Sequence, residues 1–133
     1  MLKKIIGAVI AVFFTWALLD FIGHGLIFAR LYAAMPGVWR PQAEMKIAFI
    51  YSGVLITAAS FVSIYAFLIR SRNLVTGLIF GVLFGLSMGS SLAFGGYAVH
   101  PIQAELAIGW FVLAIIENAI AGLIVGAMIR SSK

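Results

Sequence analysis

The chain has 133 residues, of which 64% are hydrophobic and only 10% charged, where a water-soluble domain carries roughly 25% charged residues. That balance excludes an ordinary soluble fold, and the absence of cysteine excludes disulfides, thiolate zinc sites, iron–sulfur clusters and covalently attached haem. The formal charge of +5 is scattered over segment ends instead of being gathered in one basic patch, so nucleic acid is not an expected partner.

Four apolar stretches follow one another along the chain, Ile5 to Phe28, Ile47 to Ile69, Leu74 to Val99 and Ile102 to Ile129. Each is longer than the roughly 20 residues a helix needs to cross hydrocarbon. Runs such as Gly81-Val82-Leu83-Phe84 do not alternate in polarity, so a barrel is excluded and backbone groups must be satisfied within helices. Residues 1–133 are therefore expected to form a single all-α membrane domain, a bundle of four transmembrane helices. Lys3 and Lys4 precede the first stretch as they would in a signal peptide, but no small-x-small cleavage site closes it, and it is read as a retained span.

Short connections make consecutive helices antiparallel neighbours. The longest, Arg30 to Lys46, contains the turn Met35-Pro36-Gly37 and the helix-stopping Arg40-Pro41, with Pro41 suited to a first helical position. Arg70 to Asn73 and His100-Pro101 form the other two. Six lysines and arginines (Lys3, Lys4, Arg70, Arg72, Arg130, Lys133) fall on one side, against three (Arg30, Arg40, Lys46) on the other. The positive-inside rule then puts both termini in the cytoplasm. Tyr32, Trp39, Tyr51 and Tyr97 on the outer side, with Tyr65 on the inner, fit an interfacial aromatic belt.

The third stretch repeats glycine at every fourth position, Gly77, Gly81, Gly85 and Gly89, continued by Ala93; the fourth carries Asn118, Gly122 and Gly126. Ridges of small residues let helix backbones approach closely in lipid. These two either pack on each other or form a seam for a second copy or another subunit.

Asp20, His24 and Glu117 lie deep inside the spans, with Glu105 near the start of the fourth; a charge costs at least ~2.5 kcal/mol at the centre. Asp20 and His24 are four residues apart and share a helical face. Counted from the cytoplasmic ends, Asp20 lies roughly 22 Å and Glu117 roughly 20 Å deep, so the carboxyls are expected at similar depth. No lysine or arginine shares that level, and two such carboxyls are expected to hold or share a proton. They form a candidate proton or cation site, with His100 and Glu105 as outer polar candidates; the structural alternative is a set of hydrogen bonds that ties the bundle together. The spacing matches no known metal-ligand or haem-ligand motif, and no cofactor is implied.

The segments Leu19-Asp20-Phe21-Ile22-Gly23-His24-Gly25, Leu31-Tyr32, Trp39-Arg40-Pro41 with Glu44-Met45, Tyr97 with His100-Pro101-Ile102, and Glu117 with Ala121-Gly122-Leu123 together resemble a group of small, conserved, four-span bacterial membrane proteins of unknown function. The resemblance covers nearly the whole chain. It implies a bacterial inner membrane and no particular activity, and no nucleotide-binding, serine-hydrolase or zinc-protease signature accompanies it. The leading expectation is a non-catalytic accessory or assembly subunit of a larger membrane complex, with lipid and other membrane subunits, or self-association, as its partners. The alternatives are an oligomeric small transporter or channel built on Asp20, His24 and Glu117, and a metal- or redox-linked membrane protein.

Overall fold

The computed structural model describes residues 1–131, and every regular element among them is helical. Helix α1 (Leu2–Asp20) runs into a π-helical stretch (Phe21–Ile27) and a short α2 (Ala29–Ala33). A 3-10 turn at Gln42–Glu44 leads to α3 (Ile47–Leu68), α4 (Leu74–Val99) and α5 (Ala104–Met128). Four stretches are long and apolar enough to cross a membrane: Leu2–Ile27, Ile47–Leu68, Leu74–Val99 and Ala104–Met128. Lys133, one of the six charges counted above, lies outside the described residues.

Local chemistry sets the boundaries. Asn73 Oδ1 accepts the Thr76 amide at 2.9 Å, a side-chain cap that starts α4. The helix stops at Val99 because His100 precedes Pro101 and takes an extended conformation. The fourth span begins at Ala104, two residues after the expected Ile102. The Ile102 amide instead bonds the His100 carbonyl at 2.8 Å, and its side chain is buried with Met35, Leu106 and Ala107. Pro41 is extended and opens the 3-10 turn instead of α3. Gly37, at φ +85, makes the one left-handed turn in the long connection.

The first span departs most from a simple helix. It starts at Leu2, and its last seven residues widen into π geometry. There the Phe28 amide reaches back five residues to the Gly23 carbonyl at 2.8 Å. Gly23 lies against Leu113 of α5, whose side chain occupies the space a Cβ would need.

Around the bundle the order is α1, α3, α4, α5, and α1 packs on both α3 and α5. A shared apolar core joins Ile5, Val12 and Trp16 of α1 to Phe61, Val62 and Tyr65 of α3 and to Ala121, Val125 and Ile129 near the end of α5. Helix α4 meets α3 through aromatic rings, with Phe61 4.6 Å from Phe80 and 5.1 Å from Phe84. Its contact with α5 is of another kind. Gly77, Gly81, Gly85, Gly89 and Ala93 are all buried, and a Cβ on Gly77 or Gly81 would run into the carbonyl oxygen of Gly122 or Asn118. A Cβ on Gly122 would meet Gly77 in the same way, and one on Gly126 would lie 2.7 Å from the Asn73 carbonyl. The two ridges of small residues face each other within the chain.

At one end, which we call the clasp end, backbone and side chains lock the α3–α4 connection to Ser131, just after α5. Ser131 donates its amide to the Arg72 carbonyl at 3.0 Å and its hydroxyl to the Arg70 carbonyl at 2.9 Å, while its Oγ accepts the Arg72 amide at 2.9 Å. Arg72 Nη1 donates to the Ala66 and Ile69 carbonyls at 2.9 and 3.1 Å, meeting carbonyls that the end of α3 leaves free. Tyr65 is fully buried and donates to the Asn73 carbonyl at 2.9 Å, so it belongs to the core and not to an interfacial belt. Tyr51 and Tyr97 do stand exposed on the surface.

Candidate functional site

The opposite, loop end gathers polar groups. Asp20 ends α1, and His24 sits one turn on, within the π stretch, its Nε2 3.6 Å from Asp20 Oδ1. Both side chains are about one-third exposed, at 38% and 35%. His24 Nδ1 pairs with the Tyr32 hydroxyl, and the same hydroxyl accepts Trp110 Nε1–H at 2.7 Å. Indole can only donate. The assignment that satisfies every partner has Tyr32 donate its proton to Nδ1, which leaves the ring proton on Nε2, facing Asp20. Burial pushes the Tyr32 phenol up to about 12, with the Trp110 hydrogen bond acting against the shift and the Asp20 charge adding to it. The hydroxyl therefore stays protonated over the physiological range.

Asp20 also faces Glu117. The two carboxyls, one from α1 and one from α5, line the same cleft and interact side chain to side chain. Glu117 is only 9% exposed, and, Asp20 aside, its Oε1 has no donor among the described residues. Its backbone carbonyl accepts Trp16 Nε1–H at 3.1 Å, fixing α5 against α1 at this level. The neighbouring Asn118, 7% exposed, donates Nδ2 to the Ala114 carbonyl at 2.8 Å, while its Oδ1 is buried without a partner.

These groups line a cleft of about 280 Å³. Asp20, Glu117 and Asn118 form its polar side, and Trp16, Val54, Phe84, Met88 and Leu92 supply apolar walls. A second groove, of about 500 Å³, continues from Met88 and Leu92 to Trp39, His100 and Trp110 at the loop end, where Trp39 Nε1 is buried without an acceptor. His100 is exposed on that groove and weakly joined to the Gly96 carbonyl at 3.3 Å. Glu105 is exposed in the first turn of α5, where an acid suits the helix dipole, and lines neither cavity. Of the five polar residues singled out by sequence, the structure joins Asp20, His24 and Glu117 and leaves His100 and Glu105 apart. Among the described residues, no three His, Asp or Glu side chains are arranged to hold a metal ion.

Sequence reasoning missed Tyr32, Trp110, Trp16 and Asn118 as parts of the site. From sequence Tyr32 reads as interfacial and Asn118 as a packing residue, and Trp16 and Trp110 carry no assigned role. The usable signal was that Trp110 and Asn118 lie on the same helix as Glu117, and that Tyr32 follows His24 by eight residues across a turn.

Comparisons with protein-family models, curated proteins and solved structures return no match.

Proposed function

We propose that this is a multi-pass protein of a bacterial inner membrane, of the four-span group it resembles, and that it works as a small transporter around an intramembrane proton or cation site. The observation that carries the reading is the meeting of Asp20 and Glu117 in one cleft, with no lysine or arginine beside them among the described residues. Two carboxyls so placed cannot both be charged cheaply in a low-dielectric setting, so the pair holds one shared proton that a cation can replace. His24 and Tyr32 extend the polar chain toward the loop end, and each can both give and take a proton. Lysine and arginine asymmetry supports a cytoplasmic clasp end and an outer loop end.

A second reading, the accessory or assembly subunit, is supported by a different observation. Among the described residues the polar chain has no continuation toward the clasp end, where Val12, Phe61, Tyr65, Val125 and Ile129 are fully buried. A route across the bilayer then requires either movement of α3 against α4 or a second chain. The glycine ridges do not support that partner, because each occupies the other.

Asp20→Asn separates these roles. In proteoliposomes the wild type is expected to take up protons reversibly through a shared carboxyl band in the infrared, and Asp20→Asn should lose that band while remaining folded, because an amide hydrogen-bonds but does not exchange a proton. An unchanged band would remove the site. Reporter fusions after Ser131 and within Arg70–Asn73 are expected to read cytoplasmic and those near Val38 external; an external C-terminal fusion would invert the topology.

A further inference from the structure

The cleft beside the carboxyl pair has an unusual balance: it is rich in acceptors, and its own donors are already committed. Asn118 Oδ1 and Glu117 Oε1 are buried without protein donors, and the Asp20 carboxyl adds a third acceptor. Trp16 Nε1–H is given to the Glu117 carbonyl, and the Thr57 hydroxyl to the Gly53 carbonyl at 2.9 Å. A molecule that satisfies this site must bring donors of its own. Its body must be apolar, because the remaining walls are aromatic and aliphatic. Val54 and Thr57 of α3 and the exposed Met88 and Leu92 of α4 border the cleft, so in the membrane proposed above its rim lies against lipid.

We infer that this cleft binds a small lipophilic primary amine that enters from the bilayer and places its ammonium among Asp20, Glu117 and Asn118. An ammonium carries three donors and no acceptor, which matches the three acceptors, and an organic cation is further favoured beside the faces of Trp16 and Phe84. The volume of about 280 Å³ lies just under the roughly 300–1,000 Å³ of drug-sized sites, so the ligand is small. A bare metal ion fits less well, since among the described residues no three acidic or histidine side chains converge on one point. The inference rests on the cation-site reading above and names the class of cation.

Binding displaces the proton shared by the pair. The amine arrives as an ammonium, its charge replaces that of the proton between Asp20 and Glu117, and the proton leaves to solvent. Among the described residues, the ionisable groups facing the pair are His24 from the π stretch and, bonded to it, Tyr32 of α2; α3 and α4 line the cleft without any.

The test uses the full chain in lipid nanodiscs, with 2-phenylethylamine as the probe. Its uncharged analogue 2-phenylethanol and its N-trimethyl analogue, which has no N–H, serve as comparisons, and empty nanodiscs correct for partition into lipid. Calorimetry is expected to show saturable binding of one phenylethylamine per chain, at least about tenfold tighter than either analogue, as expected when charge-assisted hydrogen bonds are lost. A pH indicator in weak buffer should register about one proton released per amine bound. Asn118→Ala should weaken the amine about tenfold, and Val54→Trp, which fills the cleft from the lipid side, should abolish its binding. Equal binding of the alcohol, or of the trimethyl analogue, would overturn the assignment of the three acceptors. No saturable amine binding, with the shared carboxyl band intact, would overturn the amine and leave the proton site standing; loss of that band from the wild type would remove both.

Discussion

The two ends of the bundle are built from the same apolar vocabulary and differ in how their polar groups are used. At the clasp end Ser131, Arg72 and Tyr65 direct their side-chain hydrogen bonds at backbone carbonyls and amides, as does Asn73 Oδ1. Such bonds tie helix ends together and leave side chains without freedom. At the loop end Asp20, His24, Tyr32, Trp110 and Glu117 address one another. Side chains bonded to side chains can exchange partners and protons while the helices stay in place. The comparison teaches that a membrane-type bundle can assign rigidity to one end and chemistry to the other without changing its composition.

The sharpest way to break this division is to strike the seam that both ends share. Gly85→Leu should cost about 3 kcal/mol or more, because a Cβ there already lies 2.8 Å from Ala114 O and Ile115 Cα, and backbone cannot move aside as a side chain can. Gly95→Leu, on a position with open space around it, should stay within about 0.5 kcal/mol. Thermal unfolding in one detergent compares the two, and equal midpoints would mean that the ridge does not hold α4 on α5. Val82→Leu, at a half-buried position on the same helix, should fall between them.

A smaller effect tests the loop end. Asp20→Leu leaves His24 Nε2 without its partner and should destabilise by about 1–3 kcal/mol, whereas Asp20→Asn, which keeps an acceptor, should be nearly silent in the same unfolding assay. Identical losses for both variants would make the carboxylate itself structural. At the clasp end, Tyr65→Phe removes one hydrogen bond to the Asn73 carbonyl and should cost about 1 kcal/mol without altering proton uptake; a change in uptake would show that the ends are coupled.

The least disruptive experiment is spectroscopic. Tyr32 has its phenol pushed from an ordinary 10.0 up to about 12. The folded state therefore holds this proton more tightly than the unfolded chain. Its contribution to stability is intact below about pH 10 and is lost as pH rises through about 12. The difference in tyrosinate absorbance between wild type and Tyr32→Phe should titrate near that upper value; a midpoint near 10 would mean that the hydroxyl is solvated and not buried.

Most of the fold was legible because lipid-length helices are written in composition. Leu74–Val99 appears in the structure with the bounds read from sequence, since Asn73 and Pro101 act locally. The start of α5 was misjudged because Ile102 is apolar enough to belong to a helix, although the turn after His100 holds it outside. The π stretch left no periodic trace: Gly23 and Gly25 weaken α pitch but do not specify a wider one. Asp20 and Glu117 could be matched by counting residues along two helices, which fixes depth. Counting says nothing about rotation, so the side-chain network from His24 to Trp110 required the three-dimensional arrangement.

The reciprocal backbone contact of α4 and α5 bears on biogenesis. Only four residues, 100–103, separate the two helices, and Asn118 packs on Gly81 and Gly85. In the bilayer proposed above, α5 alone would present Glu117 and Asn118 to lipid, whereas a preformed hairpin covers the Asn118 side of α5 with the glycine face of α4. Insertion as a hairpin thus lowers the cost of delivering Asn118 to mid-membrane, while Glu117 is covered by α1. A translocon reporter carrying residues 74–131 should insert α5 less efficiently with Gly81→Leu and as well as wild type with Gly95→Leu; equal insertion of both would mean that α5 enters unaided.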